Sequence, residues 1–441
     1  MSHPRAGFVS CVHPFYDVAA VAEMRQSAIA GLRQSGLEVV APEIPRTSHD
    51  AVEIAREFRE KEIDLAILFF CTWVAEDITL ALARELMDIP MLLWALPYLD
   101  RDIPMPSPIS GLVTSGSNIR RLGKRYVYHV GAVTPQNVET AMRAAQVGAL
   151  VRALRKARFG IAGYPCPGMM DVSVDESEIQ KALGATTVHL DLDALLRMAE
   201  AAPGEETARA AERVRCAAAG GMEIGEERLR ENLRLYPALQ ETVRRNKLDG
   251  YCVRCWPELR DQRKITPCAA HALMAEDGVP STCEVDLTAL ITTWILSRLA
   301  DAPAFNFDIT GYLEQEGAIQ LAHCGAAAPS LAARPEDIRI RAHMRTGTGA
   351  TVEFPFKRGG VTLAKLMRPT KGELQLFAAR GEVVESEGVR GSVAAVRPEP
   401  SARAFLDRVM RLAVEHHFAL VYGDWMAELQ MLCEFTGLNL A

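Results

Sequence analysis

Apolar residues in the first third of the chain come in short unbroken runs, at 7–13, 37–42, 64–70, 91–96 and 126–131. Between them lie stretches whose apolar positions recur at helical spacing, over 18–34, 50–60, 76–87 and 136–155, with Gly36 as a stop after the first. Continuous apolar strands alternating with amphipathic helices are the pattern of a parallel sheet covered on both faces. A flavodoxin-like doubly wound domain over 1–156 is therefore expected. A second cycle opens after the basic stretch 152–158, with strands at 159–164, 186–190 and 249–256, a short helix at 178–183 and a long helical region at 193–247. It defines a central α/β domain, 157–302.

After about residue 303 the period changes. Segments 338–344, 351–356, 361–367, 374–377 and 389–396 alternate apolar with polar and are separated by Gly, Pro or charged turns. That is the signature of antiparallel sheet, and it predicts a β-rich third domain, 303–441, with a small barrel as one form. Helices close it at 401–414 and 424–435, with Asp424 as N-cap and Gly437 as stop. The fold class expected is α/β: two flavodoxin-like parallel-sheet domains followed by a β-rich, barrel-like C-terminal domain.

Composition narrows the function. At 441 residues with a net charge of −7, the chain lacks the basic face of a nucleic-acid binder. No uninterrupted apolar run approaches the ~18 residues of a membrane span. The first apolar run, 7–12, is too short for a signal peptide, so a cytoplasmic protein is expected. Ten cysteines scattered through the chain fit reduced thiols in that compartment. Cys252 and Cys255 have the spacing of zinc and redox sites, but they alternate within 251–256 and no second pair follows, which favours a strand. Neither the dinucleotide fingerprint Gly-x-Gly-x-x-Gly nor a phosphate-binding Walker loop is present, so a nicotinamide cofactor is disfavoured.

The candidate chemistry lies in the last 160 or so residues, at Glu284, Asp308, His323 and the pair His416-His417. Each stands in or beside an apolar stretch where one element hands over to the next. Carboxylates and imidazoles in such places are costly to desolvate unless paired or holding a cation, and this donor set suits a divalent ion such as Mn²⁺. Each residue also has an ordinary reading. Glu284 would serve as a helix N-terminal carboxylate, Asp308 as a cap, and His323 as a satisfied core histidine. If a strand has begun by His416, then His416 and His417 point to opposite sides and one of them ligates.

The segments 251–259, 278–286, 305–308, 322–325 and 416–424, in this order of domains, resemble the L-fucose isomerase and L-arabinose isomerase superfamily. The resemblance implies an intramolecular oxidoreductase, a Mn²⁺-dependent aldose–ketose isomerase, with Co²⁺ or Mg²⁺ as alternative ions. It implies that Glu284 and Asp308 bind the metal and act as acid and base, and that His417 or His416 completes the ligand set. His323 matches a ligand that one branch has and the other lacks. It further implies a sugar substrate touched by His13 and Tyr16, and a homo-oligomer, trimer or hexamer, with sites near subunit boundaries; by position, Met169 and Asp171 in the second domain's first loop are further substrate contacts, as is Trp256 at its strand end, against a core role for Trp256. No nucleic-acid or membrane partner is expected. Rival readings are a metal-dependent epimerase or sugar-acid isomerase, a non-catalytic intracellular sugar-binding protein, and a glycosidase using the two carboxylates. No lysine stands among the metal motifs, which favours an enediol path over a hydride shift.

Overall fold

A computed structural model of the protein describes residues 3–16, 19–97, 106–369, 373–385 and 390–441. Three sheets follow the three periodicities. The first holds β1 (Arg5–Cys11), β2 (Glu38–Val40), β3 (Leu65–Phe70), β4 (Met91–Ala95) and β5 (Val127–Val130). All pairs are parallel, in the order β2-β1-β3-β4-β5, the flavodoxin arrangement. β3 and β4 are buried along their whole length, as their unbroken apolar runs require. The second sheet holds β6 (Arg158–Ala162), β7 (Thr186–Leu190), β8 (Gly250–Val253) and β9 (Ser281–Cys283), parallel in the order β7-β6-β8-β9.

The third sheet is mixed and contains β10 (Phe305–Leu313), β11 (Ala318–His323), β12 (Arg339–Arg341), β13 (Thr351–Pro355), β14 (Gly359–Met367), β15 (Gln375–Val384), β16 (Ser392–Pro398), β17 (His417–Tyr422) and β18 (Asn439–Leu440). Six of these strands pair antiparallel around a ring, β16-β11-β10-β17-β14-β15, and β15 returns to β16 to close it. Closure removes the unpaired edges that an open six-stranded sheet would carry. Phe305, Phe307, Leu321, Leu363, Phe377, Val396, Phe418 and Leu420, from all six strands, belong to one buried cluster.

The chain packs as two compact units, Met1–Leu154 with Glu428–Leu438, and Arg155–Ala427 with Asn439–Ala441. Within the first unit, Glu434 of the C-terminal helix pairs with Arg120 at 2.9 Å. Within the second, the four-stranded sheet and the barrel share a core. Among the described residues no helix is long and apolar enough to cross a membrane.

Some elements differ from the sequence expectation. A helix, Pro108–Arg121, stands where the apolar pattern shows none. The region 193–247 is four helices, not one, and Cys268–Glu276 adds another. Val18 and Val389, the expected first residues of a helix and a strand, lie outside the described residues.

Candidate metal centre and active site

Strand β9 ends at Cys283, and the next two residues, Glu284 and Val285, both have φ of 64°. Left-handed backbone costs a non-glycine residue about 1–3 kcal/mol and persists only where the surroundings hold it. Here it separates Glu284 from the following helix, Leu287–Ala300, whose N-cap is Asp286. The ordinary reading of Glu284 as a helix N-terminal carboxylate is thus corrected. Asp286 accepts the Ala289 amide at 2.8 Å and takes that role, so Glu284 is no helix-dipole carboxylate.

The barrel supplies the other groups from adjacent strands. Asp308 lies within β10, directly opposite His417, the first residue of β17. On its other side Asp308 faces Ala322 of β11, and His323 ends that strand. Asp308 is therefore a mid-strand residue and caps no turn. The expected divergence of His416 and His417 does not occur either: their ring centroids are 4.0 Å apart. His416 precedes the strand, so period-two alternation does not govern it.

His417 is fully buried, and its Nε2 stands 3.2 Å from Glu284 Oε2 and 3.2 Å from Asp308 Oδ1. Its Nδ1 is 2.8 Å from Asp286 Oδ2. The His323 ring centroid is 5.8 Å from that of His417. Donor atoms of Glu284, His323 and His417 come within 4.8 Å of one another, as do those of Asp308, His416 and His417. His417 Nε2, Asp308 Oδ1 and His323 Nδ1 are all buried without a hydrogen-bond partner. With the Nδ1 proton given to Asp286, Nε2 is the ring nitrogen between two carboxylate oxygens, and its lone pair is the one a cation would use in place of a proton. Converging buried lone pairs of this kind are satisfied by a cation, and imidazole with hard oxygens suits Mn²⁺ or a related divalent ion.

The electrostatics agree. In the metal-free protein burial disfavours the charged carboxylates, but the proton of His417 facing them at 3.2 Å, with the charges of His323 and His417, outweighs it, and both Glu284 and Asp308 stay below the ordinary carboxylate range. Asp286 is held lower still against full burial, chiefly by Lys365 and then by His417. All three are ionised at neutral pH.

Residues 321–441 match the family model "L-fucose isomerase, C-terminal domain". Over most of its length, the chain is 25% identical to a sulfoquinovose isomerase of Priestia megaterium across 416 residues, 93% of this chain and 92% of that one. It is 26% identical to a sulfoquinovose isomerase of a Clostridium species, with 81% of each chain covered. The chain is thus similar to fucose-isomerase-like proteins. The stretch that matches the family model carries His323, His416 and His417, while Glu284 and Asp308 lie upstream of it.

The remaining candidates fall in two places. Asp171, in the loop after β6, lies 2.5 Å from His416 Nδ1, and His416 Nε2 is 3.8 Å from Asp308 Oδ1. Asp171 is thus tied to the cluster through His416, and it also lines a cavity of about 520 Å³ with Arg368 and Glu415. Met169 is half-buried in the same loop. Trp256 follows β8, with the Arg260 guanidinium over its ring at 5.0 Å. Cys252 is in β8, as the strand reading requires, Cys255 lies just beyond it, and all ten cysteines are free thiols. His13 and Tyr16 belong to the first unit, after β1, where the His13 ring stacks on Phe15 at 5.2 Å.

The sequence reading missed two residues. Asp286 was passed over beside Glu284. Lys365 overturns the expectation that no lysine accompanies the metal motifs: its buried ammonium pairs with Asp286 at 2.8 Å. The available signal was its register. By period two, Lys365 falls in line with Val361, Leu363 and Met367, all buried, and a lysine among buried apolar positions implies a buried anionic partner.

Proposed function

We propose that this protein is a metal-dependent aldose–ketose isomerase working through a cis-enediol. The observation that carries the reading is the convergence of the partnerless His417 Nε2 and Asp308 Oδ1 with Glu284 Oε2. Glu284, Asp308 and His417 would hold the cation, with His323 and His416 at the margin of the ligand set. When bound, a divalent cation such as Mn²⁺ supplies Lewis-acid polarisation of the sugar carbonyl and stabilises enediolate charge.

The protein's own groups handle the protons. Of the two ionised carboxylates, one takes the proton from C2 and returns it to C1, while the other carries the hydroxyl proton between the oxygens. His416, held by Asp171, lines the Asp308 side of the site and orients the sugar there. Trp256 and Met169, and His13 and Tyr16 in the oligomer, contribute further substrate contacts. Sulfoquinovose is the first substrate to test, because relatives matched over most of their length carry that name.

The test is a panel of aldoses with sulfoquinovose among them, incubated with purified protein and Mn²⁺ and read by NMR for ketose. Conversion of at least one is expected. Glu284→Gln should remain folded and lose about 10²–10⁴-fold in kcat, the usual worth of an acid–base group. Conversion of no aldose by the metal-loaded protein, or full activity in Glu284→Gln, would overturn the reading.

A further inference from the structure

Lys365 is in β14, fully buried, and its Nζ donates to Asp286 Oδ2 and to Thr288 Oγ1, both at 2.8 Å. Asp286 is fully buried as well. Its Oδ1 accepts from the Ala289 amide and the Thr288 hydroxyl, both at 2.8 Å, which fixes the carboxylate on the start of the helix. Its Oδ2 lies between the ammonium of Lys365 and Nδ1 of His417, 2.8 Å from each.

Donor and acceptor accounting then leaves one arrangement. An ammonium only donates, so Asp286 meets it as an acceptor, an ionised carboxylate. A carboxylate whose neighbours all donate requires a proton on His417 Nδ1, so Nε2, the nitrogen that faces Glu284 and Asp308, is the one a cation would take in exchange for a proton. We infer that Lys365 is a positioning residue: acting through Asp286, it fixes the tautomer and ring orientation of His417 and so sets the affinity of the site for a divalent cation. The inference rests on the proposed reading that this cluster holds such an ion. It gives the Lys365–Asp286 pair a purpose beyond packing, since groups behind a metal-bound histidine typically alter metal affinity by about 10–100-fold.

The experiment is a Mn²⁺ titration of the full, chelator-treated protein, with free Mn²⁺ read by electron paramagnetic resonance and folding followed by circular dichroism. Lys365→Met should bind Mn²⁺ at least about tenfold more weakly than the wild type. Asp286→Asn should lose a similar factor, and the double variant should be no weaker than Asp286→Asn alone. If Lys365→Met does not fold, Lys365→Gln, which keeps a donor toward Asp286, enters the same cycle with the same expectation of non-additivity. Wild-type affinity in the lysine variant, or losses that multiply in the double variant, would overturn the role of Lys365. A wild-type protein that binds no Mn²⁺ would instead remove the metal reading on which the inference stands.

Discussion

His417 is the residue on which the site turns, and its environment makes a prediction about pH. Burial pushes its pKa down, but the hydrogen bond to Asp286 and the close carboxylates of Asp308 and Glu284 outweigh burial and hold it well above the ordinary histidine value in the metal-free protein. A group whose folded pKa is raised contributes stability that is fully present below its unfolded value, about 6.5, and lost as pH rises through the folded one. Neighbouring His323 is raised to about 9 against burial by Cys324 and Asp308, and Cys324 is lowered to about 6 against burial by His323 and His343. Between pH ~6.5 and ~8.5 that pair holds one proton in either state, on His323 when folded and on Cys324 when unfolded, so it cancels. The urea midpoint of chelator-treated protein should therefore fall from pH 6 to pH 8.5, and fall less with Mn²⁺ bound in place of the proton. A midpoint that rises across this window without metal would contradict the placement of His417.

At the scale of elements, closure of the barrel depends on the β15–β16 pairing. Gly381 makes it possible: a Cβ there would stand 2.7 Å from Val396 Cγ1 and 3.0 Å from the Arg397 carbonyl oxygen. Gly381→Ala should cost about 1–3 kcal/mol, the usual range for overpacking, read as a lower urea midpoint; unchanged stability would mean that the strands part easily. Close approach also explains what the sequence hid. The helix Pro108–Arg121 is rich in Gly, Ser and Thr, poor helix formers. A Cβ at Gly111 would come 3.0 Å from the Thr72 carbonyl oxygen, and one at Gly116 would come 2.5 Å from Tyr126 Oη. Packing selected these glycines against propensity, so no periodic signal marks the helix. The strands were legible for the opposite reason: β3 and β4 are buried on both faces and carry nothing but apolar residues.

The site was legible to the same extent and no further. Glu284, Asp308, His323, His416 and His417 stood out because polar groups at the ends of apolar runs are conspicuous, and the structure brings all five together. Their supporting partners were not, because those pairings join distant parts of the chain. Lys365 meets Asp286 across 79 positions and His416 meets Asp171 across 245. The register of Lys365 implied a buried partner without saying which, and Asp171 stood out as a substrate contact and not as the partner of His416.

For the whole molecule, the resemblance to fucose isomerase implies an assembly, and we propose a homo-oligomer, trimer or hexamer, in which His13 and Tyr16 of one subunit serve a neighbour's site. Sedimentation of active protein should show the oligomer, and Tyr16→Ala should weaken substrate binding without changing Mn²⁺ affinity. A fully active monomer at nanomolar concentration would contradict this arrangement.

The account as a whole stands on proton transfer between C1 and C2 by Glu284 and Asp308, with Lys365 occupied by Asp286 and Thr288. The most direct measurement is conversion of the aldose in D₂O, with the ketose examined by NMR. A proton that visits a carboxylate exchanges with solvent, so the account predicts deuterium at C1 of the ketose. A ketose wholly free of deuterium after many turnovers would mean that hydrogen moves directly between the two carbons, and would contradict the acid–base role given to the two carboxylates.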